Sequence, residues 1–305
     1  MTIIDTPSTE AQTRPRKIPA KRSQKLLTAK NWKTIAWFVA LLVLVAIVLY
    51  PLLWMVLASF KPSSEINGNT TLLPAEPTIQ NYVKVLQGIG GIPVWTFFGN
   101  SLFLAIGSVI GVVASSSMAA YAFARVRFRG SNLFFGMMIA TLLLPFHVLI
   151  IPQYIIFQRI GLVDTFVPLL IVKFLATDAF FVFLMVQFIR NLPKELDEAA
   201  RIDGAGHPRV FMSITLPLIK PALITSAIFA FIWSWNDFLG PLLYLNSTDK
   251  YPLPLALRLY NDQTSVSDYG ATIAISVLAL VPVAIFFFVF QRFLVDGVAT
   301  QGLKG

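Results

Sequence analysis

The sequence has no cysteine. Disulfides and cysteine-ligated metal sites are therefore excluded, although the redox compartment is left open. Only two histidines occur, His147 and His207, far apart and without metal-ligand spacing. Charge is scarce at 13% of 305 residues, while 56% are hydrophobic, so a water-soluble chain could not cover its surface. No Walker A pattern is present, so nothing argues that the chain itself binds ATP. No cluster of nucleophile, base and metal ligand suggests an integral membrane enzyme. The net charge of +9 is not a nucleic-acid signal, because eight of the 24 basic residues, from Arg14 to Lys33, crowd the first 33 positions.

What the chain does have is long apolar runs. A bilayer core needs about 20 helical residues. Six runs qualify as candidate spans: 34–59, 100–124, 133–151, 166–189, 219–239 and 271–293. The expectation is an all-α polytopic membrane protein with six transmembrane helices. Residues 1–31 read as a basic tail, 32–96 as the first span and an external loop, 97–293 as the main transmembrane domain, and 294–305 as a C-terminal tail. The first run is too long, and its leader too extended, for a signal peptide. Gly107 and Gly111 in the second run make a G-x-x-x-G that suits close helix packing. Pro145 and Pro152 should kink or end the third run, leaving 153–164 as a short connection. His147 beside that kink is either a functional group or a histidine bonded to a freed carbonyl.

Lys173 and Asp178 fall in the fourth run. On a continuous helix they project about 140° apart, so a direct pair is not assured. Each either faces a watery path or, for Lys173, snorkels to the interface. Trp233, Trp235, Asn236 and Asp237 end the fifth run. Indole faces can stack on sugar C–H surfaces and Asn or Asp can bond hydroxyls; the alternative is an aromatic belt at the interface.

Residues 193–217 form the longest polar stretch between apolar runs of the C-terminal half. Asn191 and Pro193 give start signals, Glu195, Asp197 and Glu198 suit a helix N-terminus, and Gly204 and Gly206 stop the helix. A helix-elbow-helix should result. Glu198, Ala199, Ala200, Gly204, Ile214, Leu216 and Pro217 fall on every fixed position of Glu-Ala-Ala, three residues, Gly, nine residues, Ile, one residue, Leu-Pro. The stretch thus resembles the EAA loop of ABC-importer permeases. Ala200 to Ala205 (ARIDGA) and the Trp-Asn-Asp-Phe at 235–238 resemble the carbohydrate type of the maltose and trehalose transporters. Phe60-Lys61-Pro62, Glu65 and Asn81-Tyr82 do so more weakly, as does the terminal Lys304-Gly305.

The resemblance implies a type I ABC-importer permease fold with a cytoplasmic coupling helix. It implies that Glu198, Ala199, Ala200, Arg201, Asp203, Gly204 and Pro217 couple to an ATPase, with Trp233, Trp235, Asn236, Asp237, Lys173 and Asp178 along the substrate path. The implied partners are a second, homologous permease, two ATPase subunits that carry ATP and magnesium, an external sugar-binding protein and membrane lipid. No cofactor is expected on this chain. Basic residues favour one side: the tail, Arg125, Arg127, Arg129, the polar stretch, Arg292 and Lys304. The positive-inside rule makes that side cytoplasmic, with both termini and the EAA stretch on it, in the cell membrane. Two alternatives stay open: an ABC permease for a solute other than sugar, and an ion-coupled secondary transporter, which would show internal symmetry and intramembrane acids.

Overall fold

The computed structural model describes residues 29–68, 71–262 and 268–302. The readings of residues 1–28, of the His147 side chain and of Lys304-Gly305 lie outside the described residues. The described chain is all helical, apart from one isolated bridge between Ile89 and Ile92. It divides at Leu52, within helix α1 (Ala29–Ala58). The first unit contributes the N-terminal part of α1, whose side chains from Ile35 to Leu52 are exposed, as suits a lipid-facing span.

The second unit holds all that follows. After α1, two short helices, α2 (Ser63–Gly68) and α3 (Gln80–Gln87), lead into α4 (Val94–Arg125), the long central helix. Then come α5 (Ser131–Thr141), α6 (Phe146–Arg159), α7 (Val167–Phe174), α8 (Ala179–Arg190) and α9 (Glu195–Ile202). The chain continues through α10 (His207–Leu218), α11 (Lys220–Trp235), α12 (Leu239–Tyr244), α13 (Leu253–Asp262) and α14 (Tyr269–Gly302). Among the described residues, four stretches are long and apolar enough to cross a membrane: Thr34–Ala58, Val94–Arg125, Val167–Arg190 and Tyr269–Gln291. The pair α10 and α11, bent by 77°, makes a fifth if read as one span.

The third expected span is divided. Helix α5 stops at Thr141 and α6 restarts at Phe146, because Pro145 has no N–H and biases Leu144 away from helical angles. Pro152 does not end α6, which runs on to Arg159. A proline inside an apolar helix forfeits one hydrogen bond, and membrane helices tolerate that loss. The fourth span is also broken, between α7 and α8, where Ala176 adopts φ 54°. The sixth continues through Pro282 to Gly302, so helix occupies most of the stretch expected to be a tail.

Helix α4 packs against α7, α8 and α11. Its small residues permit the closest approach: a Cβ on Gly107 would meet Leu170 at 2.8 Å, and one on Gly111 would meet Phe174 at 2.8 Å and the Lys173 backbone at 3.1 Å. Among the described residues, cores lie toward the two ends of α4, with a smaller cluster of Val112, Phe181 and Ala230 between them. One gathers Phe97, Phe231, Trp235, Leu253 and Ile275; the other gathers Tyr121, Met185, Ile189, Phe211 and Ile219.

The loop after α1 is held by side-chain bonds. Asn81 Nδ2 donates to the carbonyls of Ser59 and Lys61, both at 2.8 Å. Its side chain fills the space where Gly270 would carry a Cβ. Tyr82 bonds Ser59 at 2.7 Å, and fully buried Lys61 donates to the Thr71 carbonyl at 2.5 Å and faces Glu65 at 3.5 Å. The Phe-Lys-Pro, Glu65 and Asn-Tyr matches are thus one structural staple.

A second staple centres on Asp164, at φ 62°. Its carboxylate accepts from the Asn246 and Ser247 amides at 2.9 Å, the Ser247 hydroxyl at 2.5 Å and Lys250 at 2.8 Å. The Lys250 ammonium first, then the three bonds from residues 246–247, holds this carboxyl well below the usual carboxylate range. The depressed value means that the charged form stabilises the fold above about pH 4, and the contribution fades as pH falls through the folded value. Asp164→Asn is therefore expected to speed hydrogen exchange at the Asn246 and Ser247 amides by at least roughly tenfold near pH 7. Wild type and variant should converge as the pH drops below about 4; unchanged exchange at neutral pH would count against the staple.

Candidate functional site

Helix α9 and its exit show why the EAA spacing has its form. The helix ends with the Gly204 amide on the Arg201 carbonyl at 3.0 Å and the Ala205 amide on the Ala200 carbonyl at 2.9 Å. These two bonds make a Schellman stop, which needs a left-handed residue, and Gly204 supplies it at φ 82°. Ala200 and Ala205 both pack on the core around Tyr121 and Met185, as the stop's hydrophobic contact requires. The interval from Ala200 to Gly204 is thus the geometry of a helix terminus. Helix α10 follows with Pro208 in its first turn and widens to a π-turn at Phe211–Thr215. The wider turn comes just before Pro217, which cannot donate to a carbonyl four residues back. Ile214 and Leu216 are half-buried against the same core.

Much of α9 is exposed, with Glu198 and Arg201 on the side that faces the end of α4. Glu198, Ala199, Arg201, Asp203 and Gly204 are exposed, and Pro217 is exposed on α10. Glu198 has no ion pair among the described residues. Leu196 is 41% and Ile202 87% exposed, so this turn shows apolar surface rimmed by charge.

Beneath it lies a contact that sequence reasoning missed. Arg125, the last residue of α4, places Nε 2.8 Å from Asp197 Oδ2, with both side chains largely buried. Its Nη2 also donates to the Leu192 carbonyl at 2.8 Å. The Tyr121 hydroxyl sits 3.2 Å from His207 Nδ1. Asp197 read as a helix-dipole residue and Arg125 as an inside charge; no local rule pairs residues so far apart in the chain.

The substrate-path candidates divide. A cavity of about 430 Å³ lies between α4, α7, α8 and α11. Lys173, Asp178, Trp233 and Asp237 line it, with Ser108 and Ser234 bonded to each other at 3.1 Å. Lys173 and Asp178 meet at 3.0 Å, because the break at Ala176 turns Asp178 back toward the lysine. One Asp237 oxygen accepts from the Gly240 amide at 3.1 Å. Trp233, 49% exposed, heads an aromatic group with Phe180, Phe181 and Phe229.

Trp235 does not line the cavity. It is 3% exposed, stacks on Phe231 and donates Nε1 to the Ala279 carbonyl at 3.2 Å. Two residues along a helix turn about 200°, so Trp233 and Trp235 face opposite ways. Asn236 is likewise outside the lining, bonding the Ile232 carbonyl at 2.8 Å and closing α11.

Known proteins show where this arrangement belongs. Residues 107–300 match the family model for the binding-protein-dependent transport system inner membrane component. The arabinooligosaccharides transport system permease protein AraQ of Halalkalibacterium halodurans is 37% identical over 262 residues, 85% of this chain and 92% of that protein. The diacetylchitobiose uptake system permease protein NgcG of Streptomyces coelicolor is 34% identical over 257 residues, 84% of each chain. The multiple sugar-binding transport system permease protein MsmG of Streptococcus mutans is 32% identical over 263 residues, 85% of this chain and 92% of that protein. In fold, the chain matches a crystal structure of a bacterial ABC transporter involved in the import of the acidic polysaccharide alginate. The TM-score is 0.76 at 24% identity, covering 88% of this chain and 99% of that one. With its all-helical bundle and several membrane-length helices, the chain belongs to the family of binding-protein-dependent transport system inner membrane components, the multi-pass permease subunits of ABC importers.

Proposed function

We propose that this permease translocates a di- or oligosaccharide handed over by an external binding protein, driven by two ATPase subunits that hold the ATP and magnesium. A second, homologous permease completes the membrane part. The observation that carries the reading is the EAA turn: an exposed helix with a free Glu198, closed by a Schellman stop at Gly204 and tied to α4 through Arg125 and Asp197. Helix α4 runs from that turn to the cavity, where Leu104, Ser108 and Val112 face Lys173 and Trp233. Movement of α9 with the ATPases is therefore felt at the cavity wall, and the two sides open alternately. Sugar as the solute rests on the named relatives and on an aromatic, polar cavity in which Trp233 can stack and Asp237 can accept from hydroxyls. The basic side of the chain, which carries the EAA turn and both termini, faces the cytoplasm.

ATP-dependent uptake of a panel of labelled neutral oligosaccharides, in cells carrying all partner subunits, tests the reading. Glu198→Lys replaces a docking carboxylate by a like-charged repulsion and is expected to lower uptake at least about 30-fold. Trp233→Ala is expected to raise the half-saturating sugar concentration roughly tenfold with ATP hydrolysis retained. Uptake unchanged by Glu198→Lys would sink the coupling role. A transporter that hydrolyses ATP in response to another class of solute, and to no sugar, would sink the substrate class.

A further inference from the structure

A second cavity, of about 620 Å³, lies where α4 ends and α9 begins. Four cationic side chains line it, Arg125, Arg127, Lys194 and Arg201, against the carboxylates of Asp197 and Glu198. Asp197 is already committed to Arg125. Arg127 and Lys194 are exposed and have no ion pair among the described residues. Arg125 is buried, yet its Nη1 has no hydrogen-bond partner. A pocket with an excess of cations, two of them exposed and unpaired, is built for an anion, and guanidinium beside ammonium suits a phosphate group.

The surroundings say what carries the phosphate. The pocket sits at the end of Val94–Arg125, a helix long and apolar enough to cross a membrane. The ring of Phe128 forms part of its wall. Next to it, α5 turns Leu133 and Phe134 outward, 61% and 53% exposed, offering apolar surface for an acyl chain. A free phosphate has no use for that surface; a phospholipid does. We propose that this pocket binds the headgroup of an anionic phospholipid and so fixes the α4–α9 junction to the bilayer surface. The proposal is independent of the sugar assignment.

The test is native mass spectrometry of the full chain with its partner subunits, titrated with phosphatidylglycerol and with phosphatidylcholine. Wild type is expected to retain phosphatidylglycerol about tenfold better, and Arg127→Gln with Lys194→Gln to lose most of that preference. Arg127→Gln alone, at an exposed position, is expected to lose about threefold and supplies the measurement should the double variant assemble poorly. Lys17→Gln with Lys21→Gln, which removes the same charge from the basic N-terminal segment, is expected to keep the preference. Equal loss in that control, or none in the pocket variants, would overturn the site. Displacement of phosphatidylglycerol by millimolar inorganic phosphate would make it a free-phosphate site and overturn the lipid assignment. Unchanged lipid retention with loss of the ATPase subunits in the pocket variants would assign the cations to the partner protein instead.

Discussion

Arg125→Leu is expected to lower uptake more than about 100-fold and to destabilise the chain. Arg125 and Asp197 form a buried pair at 2.8 Å. Removing one member leaves the other charge without compensation, which costs about 3–5 kcal/mol in comparable sites. The pair also joins the end of α4 to the first turn of α9, so its loss unfastens the EAA turn from the helix that reaches the cavity. Asp197→Asn keeps an acceptor but loses the charge, and a drop of roughly tenfold is expected. The informative variant is Arg125→Leu with Asp197→Leu. Replacing a buried ion pair by apolar groups is often neutral for stability. The double variant is therefore expected to regain a near-wild-type melting temperature while uptake stays low. ATP hydrolysis measured alongside should continue without transport. If uptake returns with stability, the pair is a structural brace and the drive passes elsewhere.

The parts legible in the sequence were those set by neighbouring residues. Negative charge at Glu195, Asp197 and Glu198, small residues next and Gly204 after them define a helix and its end locally, and α9 runs from Glu195 to Ile202. The membrane character followed from apolar run length, which is also a local property. What stayed open depended on a backbone break without a glycine or proline to mark it. Ala176 at φ 54° divides α7 from α8, and that turn is why Lys173 and Asp178 meet at 3.0 Å despite a spacing that sets them apart on a continuous helix. The division of the third run was half legible, since Pro145 marks it, whereas Pro152 marks nothing. Trp235 was grouped with Trp233 because the pair was read as a motif and not by helix angle, and the structure sets it outside the cavity lining. Contacts between distant segments, Arg125 with Asp197 and Asp164 with Lys250, carry no periodic signal at all. They decide how the EAA turn and the 246–250 loop are held.

Gly204→Val is expected to reduce uptake at least about tenfold while leaving membrane insertion intact. Gly204 sits at φ 82°, where a β-branched residue is strained by about 1–2 kcal/mol or more. Space is not the obstacle within this chain, because a Cβ there meets nothing within 4 Å. Backbone conformation and fit against the ATPase are thus separable by two further substitutions. Asparagine is larger than alanine but tolerates the left-handed region better. If the Schellman stop is what Gly204 provides, Gly204→Asn should retain uptake within about threefold of wild type and exceed Gly204→Ala. The reverse order, with alanine tolerated and asparagine not, would mean that the glycine is there to leave room for a partner surface. The first order is expected, because the bonds from Gly204 and Ala205 back to Arg201 and Ala200 require that backbone angle, whatever docks outside. Measuring uptake and ATP hydrolysis for the three variants together makes the outcome readable. Strain that misaims α9 should lower both, since a helix that no longer enters its partner neither receives nor transmits the ATPase movement.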